Sequence, residues 1–247
     1  MVESVLEYLM EKRSEEERIK SIYNEYMNNS KILNKWSSKK IGNNFIQKEF
    51  LITFKHLIKN NNIDVINKTI LDIGCASGNK VKTLLEIGFN KKFITGIDIR
   101  ENCIENAKLQ FPNSKFYKMD AREIQFLDKK FDFINVFTLF SSIIDDQNRY
   151  KVANEIIRLL KPNGIIMYYD VRYNNPTNKN LKAVKRKQLL KLFPNMKKEL
   201  LSVTLLPYLS RKLGILNNPF YFLLSKISFL RTHYIGIIKK REKNQLI

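Results

Sequence analysis

The sequence predicts one α/β domain, built on a mostly parallel sheet and preceded by helices. From Thr69 onward, short apolar and β-branched runs alternate with helical segments, a pattern typical of parallel strands joined by helices. The first of these strands leads into a glycine-containing turn, Thr69 to Asn79, of the kind that binds nucleotides. A chain of 247 residues has the length of one such domain with modest additions.

The first part of the chain, residues 1–60, is predicted to be a helical extension of the domain formed by residues 61–247. Val2 to Met27 places apolar residues at intervals of three and four, as an amphipathic helix does. A break near Ser14 is compatible with the three acids that follow it. A second helix is predicted from Phe45 to Lys59.

The spacing of the glycine turn indicates which nucleotide it binds. Gly74 and Gly78 form G-x-x-x-G, whereas a dinucleotide fingerprint needs G-x-G-x-x-G. Asp72 lies two residues before Gly74, and a carboxylate there repels a pyrophosphate but suits a positively charged ligand. S-adenosylmethionine carries an ammonium and a sulfonium, so the pattern favours this cofactor over NAD.

The next strand carries a second candidate cofactor contact. Phe93 to Ile99 is an apolar run with Asp98 near its end, 20 residues beyond Gly78. α/β nucleotide folds place an acid for the ribose hydroxyls at this interval. The alternative, a cap on the helix from Glu101 to Gln110, is disfavoured by this register. Asp98 and the adjacent Ile99 are therefore predicted to contact the cofactor.

The run ILDIGCASG resembles the first motif of the class I S-adenosylmethionine-dependent methyltransferases, with Ala76 where many members have glycine. The segment R-x-L-K-P-x-G, Arg158 to Gly164, is also similar to that family. The resemblance implies a Rossmann-like, seven-stranded, mostly parallel sheet with an antiparallel last strand and helices on both faces. It also implies cofactor contacts from the turn residues Asp72, Gly74, Cys75, Ala76 and Gly78.

The same resemblance extends to the third and fourth strands. Lys115 to Met119 is followed by Asp120 and Ala121, which in the family contact the adenine. The fourth strand, Phe131 to Phe140, is similar to the motif beside the transferred methyl group, and it places Phe137 at the cofactor.

Asp145 and Asp146 open the next predicted helix, which runs to Leu160. They are candidates for a metal site or for capping the helix, and capping is favoured because first-turn acids satisfy unpaired backbone donors. No metal is therefore expected. Lys161 to Gly164 is predicted to turn into the fifth strand, Ile165 to Val171.

The last part of the chain is predicted to hold a basic helix, Ala183 to Phe193, and two closing strands, Glu199 to Leu206 and Thr232 to Lys239. In the family these strands form an antiparallel hairpin. The start of the seventh strand then faces the edge where the parallel strands end, which is where ligands bind. His233 and Asp170 lie at this edge and are candidate catalytic residues. The alternative for His233 is a histidine that bridges strand ends.

The formal net charge of +20 has two interpretations. It reflects a composition rich in lysine throughout, or it serves an anionic partner. Residues 179–247 hold 16 lysines and arginines against two acids, a net +14, which supports an anionic acceptor. Within this part, the aromatic and basic segment Pro207 to Leu230 is predicted to be a lid over the site or a membrane-proximal insertion.

The expected compartment is the cytoplasm, with peripheral contact to the inner face of the membrane as an open alternative. The two cysteines do not form a disulfide framework, and the charged N-terminus is unlike a signal peptide. No apolar run has the length of a membrane-spanning helix.

Three segments, at 137–146, 168–176 and 229–239, look similar to a bacterial subgroup found with polysaccharide and lipopolysaccharide assembly enzymes. This resemblance implies O-methylation of a sugar or glycan acceptor, either anionic or lipid-linked. The first alternative is a small natural-product or lipid acceptor. Nucleic acid is disfavoured, because FTLF stands where amino-methylating enzymes carry an N-P-P-Y type tetrapeptide.

Overall fold

The computed structural model describes residues 2–35, 37, 39–176, 178–213 and 217–240. A seven-stranded sheet lies at its centre. The helices are α1 (Val2–Asn28), α2 (Ser30–Lys35), α3 (Ile41–Asn60), α4 (Val81–Ile87), α5 (Glu101–Gln110), α6 (Asp146–Leu159), α7 (Arg186–Leu192), α8 (Pro207–Lys212) and α9 (Asn217–Ser225). The strands are β1 (Ile70–Ile73), β2 (Ile94–Asp98), β3 (Lys115–Lys118), β4 (Phe131–Phe137), β5 (Leu160–Val171), β6 (Met196–Leu205) and β7 (Arg231–Lys240).

The order of the strands in the sheet is β3-β2-β1-β4-β5-β7-β6. The first five strands pair in parallel, and β7 lies between β5 and β6, antiparallel to both. The predicted fold class is therefore confirmed, including the antiparallel last strand. This order brings the carboxyl ends of β1 to β5 and the start of β7 to one edge of the sheet.

Each face of the sheet is covered by helices, because the central strands are apolar on both sides. One core contains residues of α3, α4 and α5, where Phe50 and Phe54 of α3 pack on Phe137. The other core contains residues of α6 and α7, such as Ile156 and Leu189. Helix α3 therefore packs directly on the sheet.

Several element boundaries differ from the predicted ones. Helix α1 continues through Ser14 without a break, and α2 is an additional short helix. Strand β4 ends at Phe137 rather than Phe140, because Thr138 adopts a left-handed conformation, with φ of 54°, that ends the extended backbone. Strand β5 begins at Leu160, where it pairs with Phe131 across a shift in register.

The predicted capping role of Asp145 is confirmed. Its side chain accepts a hydrogen bond from the backbone nitrogen of Asn148 at 2.7 Å, in the first turn of α6. Asp146 forms an ion pair with Lys182 at 2.9 Å.

Helices α8 and α9 pack beside α3 and β6 around a third, smaller core of Ile46, Leu205 and Tyr221. Glu49 of α3 joins this core to the sheet, since its carboxylate accepts hydrogen bonds from the Tyr221 hydroxyl and the Thr204 backbone nitrogen. Within the described residues, no helix combines the length and the apolar character needed to cross a membrane.

Candidate functional site

The turn after β1 is shaped by three alternate positions of unusual backbone conformation. Gly74, Ala76 and Gly78 all have positive φ, at 74°, 49° and 79°. A side chain at Gly78 would lie 2.6 Å from the ring of Phe111, so only glycine fits there. The backbone nitrogens of Gly74 and Cys75 donate to the carbonyl of Ile97, at 2.8 and 3.0 Å, which ties the turn to β2.

Asp72 lies beneath this turn as a buried acid with one unsatisfied oxygen. Its Oδ1 accepts a hydrogen bond from Nδ2 of Asn135, the residue opposite it on β4. Oδ2 of Asp72 and Oδ1 of Asn135 have no partner among the described residues. Burial raises the pKa of Asp72 to about 7, although the bond from Asn135 and the nearby Lys80 act in the opposite direction.

Asp98, at the end of β2, has both of its oxygens occupied. Oδ2 accepts from the backbone nitrogen of Ala76 at 2.9 Å and from Nη2 of Arg100 at 3.1 Å. Oδ1 accepts from the backbone nitrogen and Nε of Arg100, both at 3.0 Å. Because a carboxylate offers about four acceptor positions, a ribose that binds Asp98 replaces the guanidinium of Arg100.

Asp120 repeats this arrangement after β3. It accepts from the backbone nitrogen of Arg122 at 2.8 Å and from the guanidinium of the same residue. Asp120 and Arg122 are both nearly buried, and Ala121 between them lines the same cavity as Asp98. The two acid–arginine pairs, Asp98 with Arg100 and Asp120 with Arg122, follow the pattern D-x-R and lie side by side at the edge of the sheet.

A cavity of about 540 Å³ opens at this edge. Its floor is the glycine turn, and its walls include the two D-x-R pairs and Phe137 of β4. Helix α1 closes one side, with Tyr23 stacked on the Arg100 guanidinium at 3.8 Å from the ring centre. The described part of 207–230 contributes no residue to the lining.

These residues fit a nucleoside that carries a positive charge. The unsatisfied oxygen of buried Asp72 calls for a donor or a cation. The glycine turn leaves its backbone open to a ligand, Asp98 of β2 and Asp120 after β3 line the cavity, and the buried Asp72 of β1 lies behind the turn. The predicted cofactor contacts therefore come together, apart from Asp72 and Gly78, which support the turn from behind the lining.

Residues 70–164 match a family model described as "Methyltransferase domain". The likeness to solved structures covers more of the chain. The PH0226 protein of Pyrococcus horikoshii superposes with a TM-score of 0.60 at 17% identity, over 88% of this chain and 99% of that one. A methyltransferase from Methanosarcina mazei superposes with a TM-score of 0.54 at 20% identity, over 74% and 96%.

The fold is that of the S-adenosylmethionine-dependent methyltransferases. Among curated relatives, the putative methyltransferase 235L of Invertebrate iridescent virus 6 is 33% identical over 42% of this chain. Demethylmenaquinone methyltransferase of Staphylococcus aureus is 32% identical over 39% of it. The matched segment spans 40% of the length of each relative. The family match covers β1 to β4 and the start of β5, which is the part of the chain that holds the glycine turn.

The structure does not bring the two candidate catalytic residues together. Asp170 pairs with Tyr234, and His233 pairs with Val171, so their side chains lie on opposite faces of the sheet. Asp170 is fully buried and accepts from the backbone nitrogen of Ser141 at 3.0 Å, and burial raises its pKa to about 6. Neither residue lines the cavity.

His233 lies in an apolar environment. Its ring is stacked on Tyr169 at 4.7 Å between ring centres, and Nδ1 is 2.9 Å from the Thr232 hydroxyl. Burial, together with the charge of Lys80, lowers the pKa of His233 to about 3. Its predicted catalytic role and that of Asp170 stay predictions.

Sequence reasoning missed three residues of the site. Asn135 is a polar residue in the middle of the apolar run FINVF, which is a detectable signal, because an amide buried in a strand needs a partner. Arg100 and Arg122 each follow a predicted cofactor acid by two residues. The repeated D-x-R pattern was the available signal for both.

Proposed function

We propose that this protein is an S-adenosylmethionine-dependent methyltransferase. The observation that carries the proposal is that Asp98 and Asp120 line one glycine-floored cavity at the edge of the sheet, with the buried Asp72 behind its floor. When bound there, the cofactor supplies an electrophilic methyl group. The protein then has to bind, orient and keep water away from the reacting groups.

Each acid has a separate part in this proposal. Ionised Asp72 balances the positive charge on the amino-acid portion of the cofactor. Asp98 accepts hydrogen bonds from the ribose hydroxyls, and Asp120 and Ala121 contact the adenine. Phe137, packed edge-on against Phe50, forms an apolar wall that excludes water. Alignment of two reactants in such a site lowers a barrier by about 7–11 kcal/mol.

For the acceptor, we propose a hydroxyl of a sugar or glycan. The similarity of 137–146, 168–176 and 229–239 to enzymes of surface polysaccharide assembly supports this class. The matched relatives differ in acceptor: their names specify demethylmenaquinone, tRNA and a fatty acid. A lipid acceptor is the second candidate, because one matched relative is named a fatty-acid O-methyltransferase. We also propose that His233 or Asp170 acts as the general base that accepts the proton of the acceptor hydroxyl.

The first test is calorimetric titration with S-adenosylmethionine, S-adenosylhomocysteine and NADH. We expect the first two to bind and NADH not to bind, because the G-x-x-x-G turn lacks the glycine spacing of a dinucleotide fingerprint. Binding of NADH alone would overturn the proposal. Screening of glycan, lipid and tRNA acceptors with radiolabelled cofactor then separates the acceptor classes.

Asp98→Ala tests the cofactor site directly. We expect about a tenfold to hundredfold weaker affinity for S-adenosylmethionine, because hydrogen bonds to a charged group contribute about 1.5–3 kcal/mol. Arg100→Ala is the matched variant: it removes the guanidinium that occupies the same carboxylate, so affinity should stay equal or increase. Unchanged affinity in Asp98→Ala, with an unchanged circular dichroism spectrum, would contradict the assignment.

A further inference from the structure

Helix α9 is apolar on both of its faces. Its inner face places Tyr221, which is fully buried, against the small core formed with α3 and β6. Its outer face presents Phe220, Phe222 and Leu223, of which Phe222 is 46% and Leu223 is 60% exposed. A helix with this distribution needs a second apolar environment on the outside.

The apolar surface continues past the end of the helix. Ile227 and Phe229 follow α9 directly, and Phe229 is 74% exposed. We call the five residues Phe220, Phe222, Leu223, Ile227 and Phe229 the α9 surface. Contiguous large apolar side chains on a protein surface mark a site of interaction, whereas single ones do not.

Basic residues predominate around the α9 surface, and Glu49, the acid that contacts the inner face of α9, is hydrogen-bonded to the Tyr221 hydroxyl. In the sequence, residues 29–48 and 200–231 contain nine lysines and arginines and no acid. Lys212 and Lys226 are exposed on α8 and just after α9. The Arg211 side chain donates to the carbonyl of Lys35, at 3.4 Å, so the two segments are in contact.

We propose that the α9 surface docks on an anionic phospholipid membrane. Aromatic and aliphatic side chains flanked by lysines suit the boundary between acyl chains and negative head groups. An acidic protein partner would also complement the positive charge, but five bulky, exposed apolar side chains favour a fluid apolar layer. The cavity remains available in the docked state, since the described part of 207–230 does not line it.

The test is co-sedimentation of the full chain with phosphatidylcholine vesicles, with and without phosphatidylglycerol. We expect binding to the anionic vesicles only, weakened by salt. Lys212→Glu with Lys226→Glu should lower the partition coefficient by at least about fivefold for each lysine. Phe222→Ser with Leu223→Ser should lower it by about tenfold or more.

Two matched variants control for charge and for exposed apolar area. Lys92→Glu with Lys108→Glu changes the net charge equally, away from α9. Leu109→Ser with Leu127→Ser removes apolar side chains that are 81% and 82% exposed elsewhere. Both should bind vesicles like the unaltered protein.

Three results would overturn the proposal. They are absence of binding to anionic vesicles, equal losses in the control variants, and a dimer in solution that the α9 variants convert to monomers. The last result would assign the surface to a second copy of the chain. Vesicle binding does not depend on cofactor binding, so failure of the proposed function leaves this test unaffected.

Discussion

At the scale of single residues, the buried Asp72 makes the stability of the folded protein depend on pH. Its pKa is raised from 3.8 to about 7 by burial, so the folded protein keeps a proton that the unfolded chain loses. Between about pH 4 and about pH 7, this acid therefore makes the folded state less stable as pH rises. Each unit of the raised pKa corresponds to about 1.4 kcal/mol.

Asp72→Asn should remove this loss. We expect the variant to gain stability relative to the unaltered protein as pH rises from about 4 to about 7, because its side chain never ionises. Urea unfolding across this range measures the difference. Asp170, whose pKa is raised to about 6, contributes in the same direction but is present in both proteins and cancels. A difference that is independent of pH would contradict the burial of Asp72.

The ionisation of His233 is a second prediction at this scale. Burial against Tyr169 lowers its pKa to about 3, so the ring should stay neutral down to about pH 4. A group that is this weakly basic accepts a proton from a hydroxyl poorly. Histidine resonances followed by NMR measure the titration, and His56→Gln assigns the two signals. Titration of His233 near neutral pH would restore it as the stronger candidate for the general base.

At the scale of elements, helix α1 acts as the cover of the cofactor cavity. Three described side chains of α1 contact the sheet edge: Tyr23 stacks on Arg100, Nη2 of Arg18 donates to the carbonyl of Ser142 at 2.8 Å, and Glu16 forms an ion pair with Lys118 of β3 at 3.8 Å. The lining that α1 provides includes Ile19 and Met27. A ligand that enters the cavity on this side therefore passes α1 and these polar contacts.

Arg18→Ala should make this cover looser. We expect the association and dissociation rates of S-adenosylmethionine both to rise, by up to about tenfold, because one charged hydrogen bond to the sheet edge is lost. Stopped-flow binding kinetics measure both rates. Lys31→Ala, an exposed change on α2, is the control. Rates that match the control would mean that α1 does not limit access to the cavity.

At the scale of the whole molecule, the net charge of +20 acts against the compact state. Many acids are already engaged: Asp98 with Arg100, Asp120 with Arg122, and Glu155 with Arg158. The excess lysines repel one another, and this repulsion is reduced by salt.

Added sodium chloride should therefore stabilise the protein. We expect the melting temperature to rise by a few degrees between about 20 mM and about 300 mM salt, as the screening length shortens. Scanning calorimetry measures this, and Lys92→Glu with Lys108→Glu should show a smaller rise because it lowers the net charge by four. A melting temperature that falls with salt would mean that attractive pairs dominate.

Much of the fold could be predicted from the sequence because its signals are local. The alternation of strands and helices depends on neighbours two to four residues apart, and so does the G-x-x-x-G turn with Asp72 before it. The interval from Gly78 to Asp98 likewise follows from one strand–helix–strand unit. These patterns sufficed for the confirmed sheet and for the cofactor side of the cavity.

Tertiary packing alone decided which side chains meet. Asn135 reaches Asp72 from 63 positions away, because β4 lies beside β1. The register of β5 and β7 put Asp170 and His233 on opposite faces, and burial lowered the basicity of His233. Likewise, α9 exposes its outer face only because α3 and β6 occupy the inner one. The burial of a side chain and its hydrogen-bond partners depend on contacts between distant parts of the chain. Local sequence patterns do not contain this information.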